Sequence, residues 1–213
     1  LQMIKKIKFL VIIFLLSCFL PTTQLFCGSL DDSSMESGAK NKQHGFEPKE
    51  RDAIDIIRKR LLRDIEMGNI DNIRIFLKDY GNDINFISNG LNPFTHAASI
   101  NNFELLKLFL NETKINIDIT DELGNTALIN ASDKGNLEIV NFLINNGADI
   151  NYQNKQGLTP AMKATERNNF YIVKFLLDKN ADLTKSDYSG RTLKEIAENS
   201  RDKRILKLLN EKI

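Results

Sequence analysis

The strongest constraint on this chain is a pattern that repeats at a fixed step of 33 residues. Glycines at positions 124, 157 and 190 each open one unit. The second half of the unit keeps the same step, because Leu-Glu-Ile-Val-Asn-Phe-Leu-Ile from Leu137 is matched by Phe-Tyr-Ile-Val-Lys-Phe-Leu-Leu from Phe170. Apolar residues recur at helical spacing in both halves, so each unit is predicted to form a helix–turn–helix pair. Such units stack in a row, and each one contacts only its neighbours.

The connectors between units also recur. The run Gly147-Ala148-Asp149-Ile150-Asn151 is answered by Asn180-Ala181-Asp182-Leu183-Thr184. A period of about 33 residues with helix pairs and Gly/Asp-rich connectors resembles the ankyrin repeat family. The resemblance implies an all-α solenoid with short β-hairpin-like connectors. It covers residues 49–213 in about five units, approximately 49–85, 86–118, 119–151, 152–184 and 185–213, of which the first and last resemble caps.

Three threonines, Thr126, Thr159 and Thr192, fall where the first helix of a unit must begin. A threonine hydroxyl accepts a hydrogen bond from a free backbone N–H of the first turn, and Pro160 then occupies the first helical position without losing a bond. Gly81 and Gly147 follow second helices. They are predicted to end those helices in the left-handed conformation that glycine tolerates best.

One departure from the family concerns a histidine that usually bridges neighbouring loops. The positions that correspond to it here hold Thr95, Ile129, Met162 and Glu195. The polar network between repeats is therefore expected to be thinner than in the family. His96 lies one residue beyond this position, beside Ala97, and is assigned a structural role.

Residues 1–29 resemble a signal peptide or lipoprotein leader. Met3 is taken as the initiator, Lys5, Lys6 and Lys8 form a basic segment, and Phe9 to Leu20 is apolar. A small-residue cleavage site is available at Cys27-Gly28-Ser29. Two alternatives remain: a lipobox that lipidates Cys18 or, in a relaxed form, Cys27, and an uncleaved signal anchor. In each case the chain is expected to leave the cytoplasm, for the periplasm or the cell exterior.

Residues 30–48 are polar and rich in turn-forming residues. Because they offer little apolar surface to bury, they are predicted to be a flexible linker. The segment 49–213 contains no cysteine, and its one histidine is His96. It has no Gly-rich phosphate loop and no metal-spaced cluster, so we expect neither an enzyme nor a bound cofactor or metal. The net charge of +1 gives no reason to expect nucleic acid.

The resemblance to ankyrin repeats implies a protein partner, bound through hairpin tips and the concave face, and a monomer is expected. Tyr152, Tyr188 and Arg191 are the leading anchors, because exposed aromatic residues and arginine are enriched at interface hot spots. The candidate contact residues are Phe86, Ser88, Leu91, Ile119, Asp121, Glu122, Leu123, Asn125, Tyr152, Asn154, Lys155, Gln156, Leu158, Lys185, Asp187, Tyr188 and Arg191.

Three functions fit these observations. The first is an adaptor exported to the bacterial envelope; heavy use of Ile, Asn and Lys suggests an AT-rich bacterial genome. The second is a secreted module that binds a host protein. The third is a structural spacer or enzyme accessory that a lipidated cysteine holds at a membrane.

Overall fold

The computed structural model describes residues 50–80 and 84–212, so the predicted leader, the linker and Gly81 lie outside the described residues. Within these ranges the chain forms ten α-helices in five consecutive pairs, and β-structure is limited to isolated bridges. The pairs are α1 Glu50–Met67 with α2 Ile70–Tyr80, α3 Pro93–Ser99 with α4 Phe103–Glu112, α5 Ala127–Lys134 with α6 Leu137–Asn145, α7 Pro160–Glu166 with α8 Phe170–Asp178, and α9 Leu193–Glu198 with α10 Lys203–Lys212. The predicted all-α solenoid is confirmed.

The first helices of successive units stack on one another, α1 on α3, α3 on α5, α5 on α7 and α7 on α9. Fully buried alanines (Ala97, Ala131, Ala164 and Ala197) lie in these helices and allow close approach. Larger side chains fill the space between helices, as where Phe94 of α3 meets Phe109 of α4 edge-on at a centroid distance of 6.5 Å. Burial of this apolar surface, at about 25 cal/mol per Å², is the main source of stability.

The predicted helix boundaries are confirmed where the structure describes them. The hydroxyls of Thr126, Thr159 and Thr192 each accept a hydrogen bond of 3.3 Å from the backbone N–H three residues later. Pro160 is the first residue of α7. Gly147 follows α6 with a φ of 91°, in the left-handed region.

The connectors form hairpins, as predicted. Isolated antiparallel bridges join Ser88 to Leu91, Thr120 to Thr126 and Ser186 to Thr192. These pairs lie just before the first helices of the second, third and fifth units. Each of these three connectors therefore forms a tight turn beside a first helix.

Asparagine and aspartate side chains, rather than histidines, link the repeats. Asp118 accepts a hydrogen bond from the backbone N–H of Asp149 at 3.0 Å, and one unit later Asn151 accepts from that of Asp182 at 2.8 Å. On the other side of the stack, the Asn169 amide donates to the Ser132 carbonyl at 2.8 Å. The polar network expected to be thin thus has several contacts between neighbouring units, and these use asparagine and aspartate in place of histidine.

His96 is buried in α3, where it faces Glu66 of the first repeat. Its Nε2 lies 3.5 Å from Oε1 of Glu66 in α1 and has no well-formed hydrogen bond, while Nδ1 is 3.3 Å from the Ser99 hydroxyl. Burial lowers the pKa of His96 below its ordinary value of 6.5, and the opposing effect of the Glu66 charge is smaller. The folded protein therefore favours the neutral imidazole.

The lowered pKa of His96 predicts a loss of stability in mild acid. Because the unfolded chain takes up the proton first, the free energy of unfolding should be constant above about pH 7.5 and fall as the pH decreases through 6.5 toward the lowered pKa. Urea denaturation between about pH 8 and about pH 5 would measure this fall. The control is His96→Gln, in which the fall across this window should disappear. Parallel profiles for the two proteins would contradict the assignment.

Candidate functional site

A buried acid or amide organises each hairpin of the last three units. The side-chain Oδ1 of Asp121, Asn154 and Asp187 accepts hydrogen bonds from the backbone N–H groups two and four residues later, at distances of 2.8 to 2.9 Å. Asp and Asn favour such turns because their short side chains reach their own backbone. The same turn therefore recurs at each step of 33 residues.

Backbone hydrogen bonds connect one hairpin to the next. The N–H of Glu122 donates to the Gly90 carbonyl at 3.0 Å, that of Lys155 to Leu123 at 3.2 Å, and that of Tyr188 to Gln156 at 3.0 Å. Asn154 adds a side-chain bond of 2.7 Å from Nδ2 to Oδ1 of Asn125. The four hairpins thus form one continuous hydrogen-bonded row, which fixes the positions of the side chains at their tips.

The structure divides the predicted contact residues into three groups by exposure. The exposed residues, which we call the hairpin face, are Glu122, Leu123, Lys155, Gln156, Tyr188 and Arg191. The half-buried residues are Ser88, Leu91, Ile119, Tyr152 and Lys185. The buried residues are Phe86, Asp121, Asn125, Asn154, Leu158 and Asp187.

The six buried residues require a correction, since their side chains offer almost no surface to a partner. Phe86 and Leu158 belong to the hydrophobic core. Asp121, Asn154 and Asp187 hold the turns, and Asn125 accepts the bond from Asn154. Side chains at hairpin tips point either outward or into the stack, and these six point into it.

Arg191, predicted as an anchor, helps to hold its own hairpin. Its Nε and Nη2 lie 2.8 and 2.7 Å from Oδ2 of Asp187, and Nη2 is also 3.5 Å from Glu166. Burial raises the pKa of Asp187, but hydrogen bonds from Arg191 and from the Ser189 N–H outweigh this effect and leave the pKa below 3.8. Replacing Arg191 would therefore disturb a buried carboxylate, so a loss of binding in such a variant would have two explanations.

A ladder of ion pairs across the first helices escaped the sequence analysis. Asp133 of α5 lies 2.7 Å from Nε of Arg167 and 3.7 Å from Lys163, and Lys163 is 3.4 Å from Glu166. The repeat pattern contains an indication of this ladder, because Asp133 and Glu166 are acidic residues at equivalent positions 33 residues apart. Together with the hairpin face, this ladder gives the exposed side of the first helices a dense pattern of charge.

Two other kinds of site are not found in the described part of the chain. No three His, Cys, Asp or Glu side chains within residues 50–80 and 84–212 stand close enough together to hold a metal ion. None of the helices in these ranges is both long and apolar enough to cross a membrane.

Stacked helix pairs joined by a row of hydrogen-bonded hairpins define an α-helical repeat scaffold. The family model described as "Ankyrin repeats (3 copies)" matches residues 61–154 and 146–213. This chain belongs to the ankyrin repeat family, whose repeats are a protein–protein interaction module.

Two relatives are similar to part of this chain. Ankyrin repeat domain-containing protein 29 from Danio rerio is 47% identical over 57 residues, and the protein of the same name from Homo sapiens is 42% identical over 57 residues. Each match covers 27% of this chain and 19% of the relative, so the similarity spans about a fifth of either relative.

Proposed function

We propose that this protein is a non-catalytic adaptor, exported to the bacterial envelope, that binds a protein partner as a monomer. The hairpin face and the exposed side of the first helices form the binding surface. The observation that carries the proposal is the hydrogen-bonded row of hairpins with exposed apolar side chains at its tips. Such a row is already ordered before binding, which reduces the entropy lost on association.

Two side chains stand out on the hairpin face. Leu123 is 66% exposed and Tyr188 is 74% exposed, so both side chains offer most of their surface to a partner. Leu123 lies two residues after Asp121 and Tyr188 one residue after Asp187, in turns whose backbone these two carboxylates fix. An aromatic residue held on a rigid backbone is typical of an interface hot spot.

Export is supported by the sequence of the leader alone. The basic residues near Met3, the apolar run and the small residues near Gly28 together are typical of a secretory signal. Mass spectrometry of the N-terminus of protein recovered from the producing cells tests this part. A start near Leu30 would support export by cleavage, a lipidated Cys18 or Cys27 would favour the anchored spacer, and an intact leader would contradict cleavage.

Capture of a partner from envelope extract by the 213-residue chain tests the binding surface. The double variant Leu123→Ala/Tyr188→Ala should reduce capture about tenfold or more, since truncation of a hot-spot residue costs about 2 kcal/mol. Both side chains are exposed, so the far-ultraviolet circular dichroism and the urea midpoint should remain unchanged.

The matched control is Tyr171→Ala. Tyr171 is 68% exposed in α8, where its ring contacts Phe170, and it lies outside the hairpin face. Capture should be unaffected in this variant. Equal capture by the double variant and the unmodified chain would contradict the assigned binding surface. A partner found only among host proteins would contradict the proposed location in the bacterial envelope.

A further inference from the structure

A cleft between the fourth and fifth repeats concentrates arginine side chains. Its volume is about 550 Å³, and its lining includes Arg167, Arg191 and Arg201 together with Glu166. Arg167 follows α7, Arg191 comes from the last hairpin, and Arg201 lies in the turn between α9 and α10. We call this feature the arginine cleft. Three guanidinium groups around one open space give it a positive lining.

Carboxylates outside the lining orient two of these guanidinium groups. Nε of Arg167 donates to Oδ1 of Asp133 at 2.7 Å, and Arg191 is held by Asp187, with its Nη2 also 3.5 Å from Glu166 of the lining. No hydrogen-bond acceptor among the described residues engages the Nη groups of Arg167. The Arg167 and Arg191 side chains are nevertheless 57% and 49% exposed. The cleft therefore presents fixed guanidinium groups with donors still available to a ligand.

Arg201 differs from the other two because its side chain has no ionic or hydrogen-bond partner within residues 50–80 and 84–212. Its backbone is fixed, however. Oδ1 of Asn168 accepts hydrogen bonds from the Ser200 hydroxyl at 2.8 Å and from the backbone N–H groups of Arg201 and Asp202 at 2.8 and 3.1 Å. A firmly placed turn thus carries an unpaired cation at the edge of the cleft.

The charge of the surrounding repeats adds a long-range component. Residues 152–213 contain 13 basic and 8 acidic residues, whereas residues 86–151 contain 3 basic and 8 acidic residues. The solenoid is consequently positive at its C-terminal end and negative in the middle. Such an asymmetry steers an acidic ligand toward the repeats that form the arginine cleft.

We propose that the arginine cleft binds side-chain carboxylates of an acidic segment of the protein partner. This inference rests on the proposed adaptor function and specifies the chemistry of the partner. A guanidinium group presents a planar set of donors that matches a carboxylate in a bidentate geometry. Arg201 closes on the ligand, while Arg167 and Arg191 supply donors that the protein has already oriented.

Fluorescence anisotropy with a fluorescein-labelled octaglutamate peptide, amidated at its C-terminus, tests the proposal on the 213-residue chain. We expect saturable binding at low ionic strength that weakens as salt is added. Arg201→Glu should weaken this binding about tenfold, because it removes one ion pair and adds a repulsion. The matched control is Lys207→Glu, an identical change of charge at an exposed residue of α10 outside the cleft lining. It should weaken binding by less than about threefold, because its charge is largely screened.

Several outcomes would overturn the proposal. These are the absence of saturable binding, equal losses in the Arg201→Glu and Lys207→Glu variants, and displacement of the peptide by low-millimolar inorganic phosphate, which would assign the cleft to phosphate groups. Partner capture distinguishes this failure from failure of the adaptor function. If the Arg201→Glu variant still captures the partner and the Leu123→Ala/Tyr188→Ala variant does not, the adaptor function stands. In that case the partner's acidic segment does not bind in the arginine cleft.

Discussion

Replacing Asn92 with alanine is expected to lower the free energy of unfolding by about 3–5 kcal/mol. Asn92 is fully buried at the start of α3, and its side chain makes four hydrogen bonds. Nδ2 donates to the carbonyls of Ile84 and Phe86, both at 3.0 Å, and Oδ1 accepts from the N–H groups of Phe94 at 2.9 Å and Thr95 at 3.4 Å. Alanine would leave these backbone groups without partners inside the protein. Urea denaturation followed by circular dichroism measures the loss.

Two variants separate the functions of the Asn92 side chain. Asn92→Thr keeps a hydroxyl that can cap α3 but loses the hydrogen bonds to the carbonyls of Ile84 and Phe86. Its loss of unfolding free energy should therefore be intermediate. Thr126→Ala removes a cap that makes one bond of 3.3 Å and should cost about 1 kcal/mol. Equal losses in Asn92→Ala and Thr126→Ala would show that the two carbonyl bonds add nothing.

Gly157→Ala is expected to be the most disruptive substitution in the hairpin row, with a loss of about 3 kcal/mol or more. Gly157 has a φ of +77°, a conformation that side chains disfavour. A Cβ atom there would also lie 2.6 Å from the Tyr188 backbone nitrogen and 3.0 Å from the Asp187 carbonyl carbon. Because these are backbone atoms of the next hairpin, relief requires the two hairpins to separate. Urea denaturation gives the cost.

Gly190→Ala is the matched control, since Gly190 occupies the same position one unit later. Its φ is +82°, but a Cβ atom there meets nothing within 4 Å. The cost should therefore be limited to the backbone conformation, about 1–2 kcal/mol. The difference between the two variants measures the contact between stacked hairpins, and the absence of a difference would contradict close stacking.

Much of the fold could be predicted from sequence because its causes are local and recur. Thr126 and Thr159 cap helices through bonds that span three residues, and Gly147 ends α6 through its own φ. Asn92 shows where local reasoning ends. Its position predicts a cap, but the bonds to Ile84 and Phe86 arise from the way the preceding connector folds back beside α3.

Less of the candidate site could be predicted, because exposure is a property of the packed chain. Asn154 and Gln156 are polar residues of one turn. Asn154 is buried and bonded to Asn125 of the neighbouring hairpin, whereas Gln156 is exposed. A list of hairpin residues cannot separate them. The leading anchors divide in a similar way, since Tyr188 is free on the surface and Arg191 is engaged by Asp187.

Residues that contact each other across repeats, such as Asp133 and Arg167, are far apart in the chain. The 33-residue period and its apolar spacing dictate helix pairs and their order, because a helix forms from contacts within three or four residues and buries whichever side is apolar. Stacking then brings Asp133 to Arg167 and places Arg201 beside Asn168. Charged pairing and side-chain exposure follow from distances between units, which exist only once the helix pairs are packed.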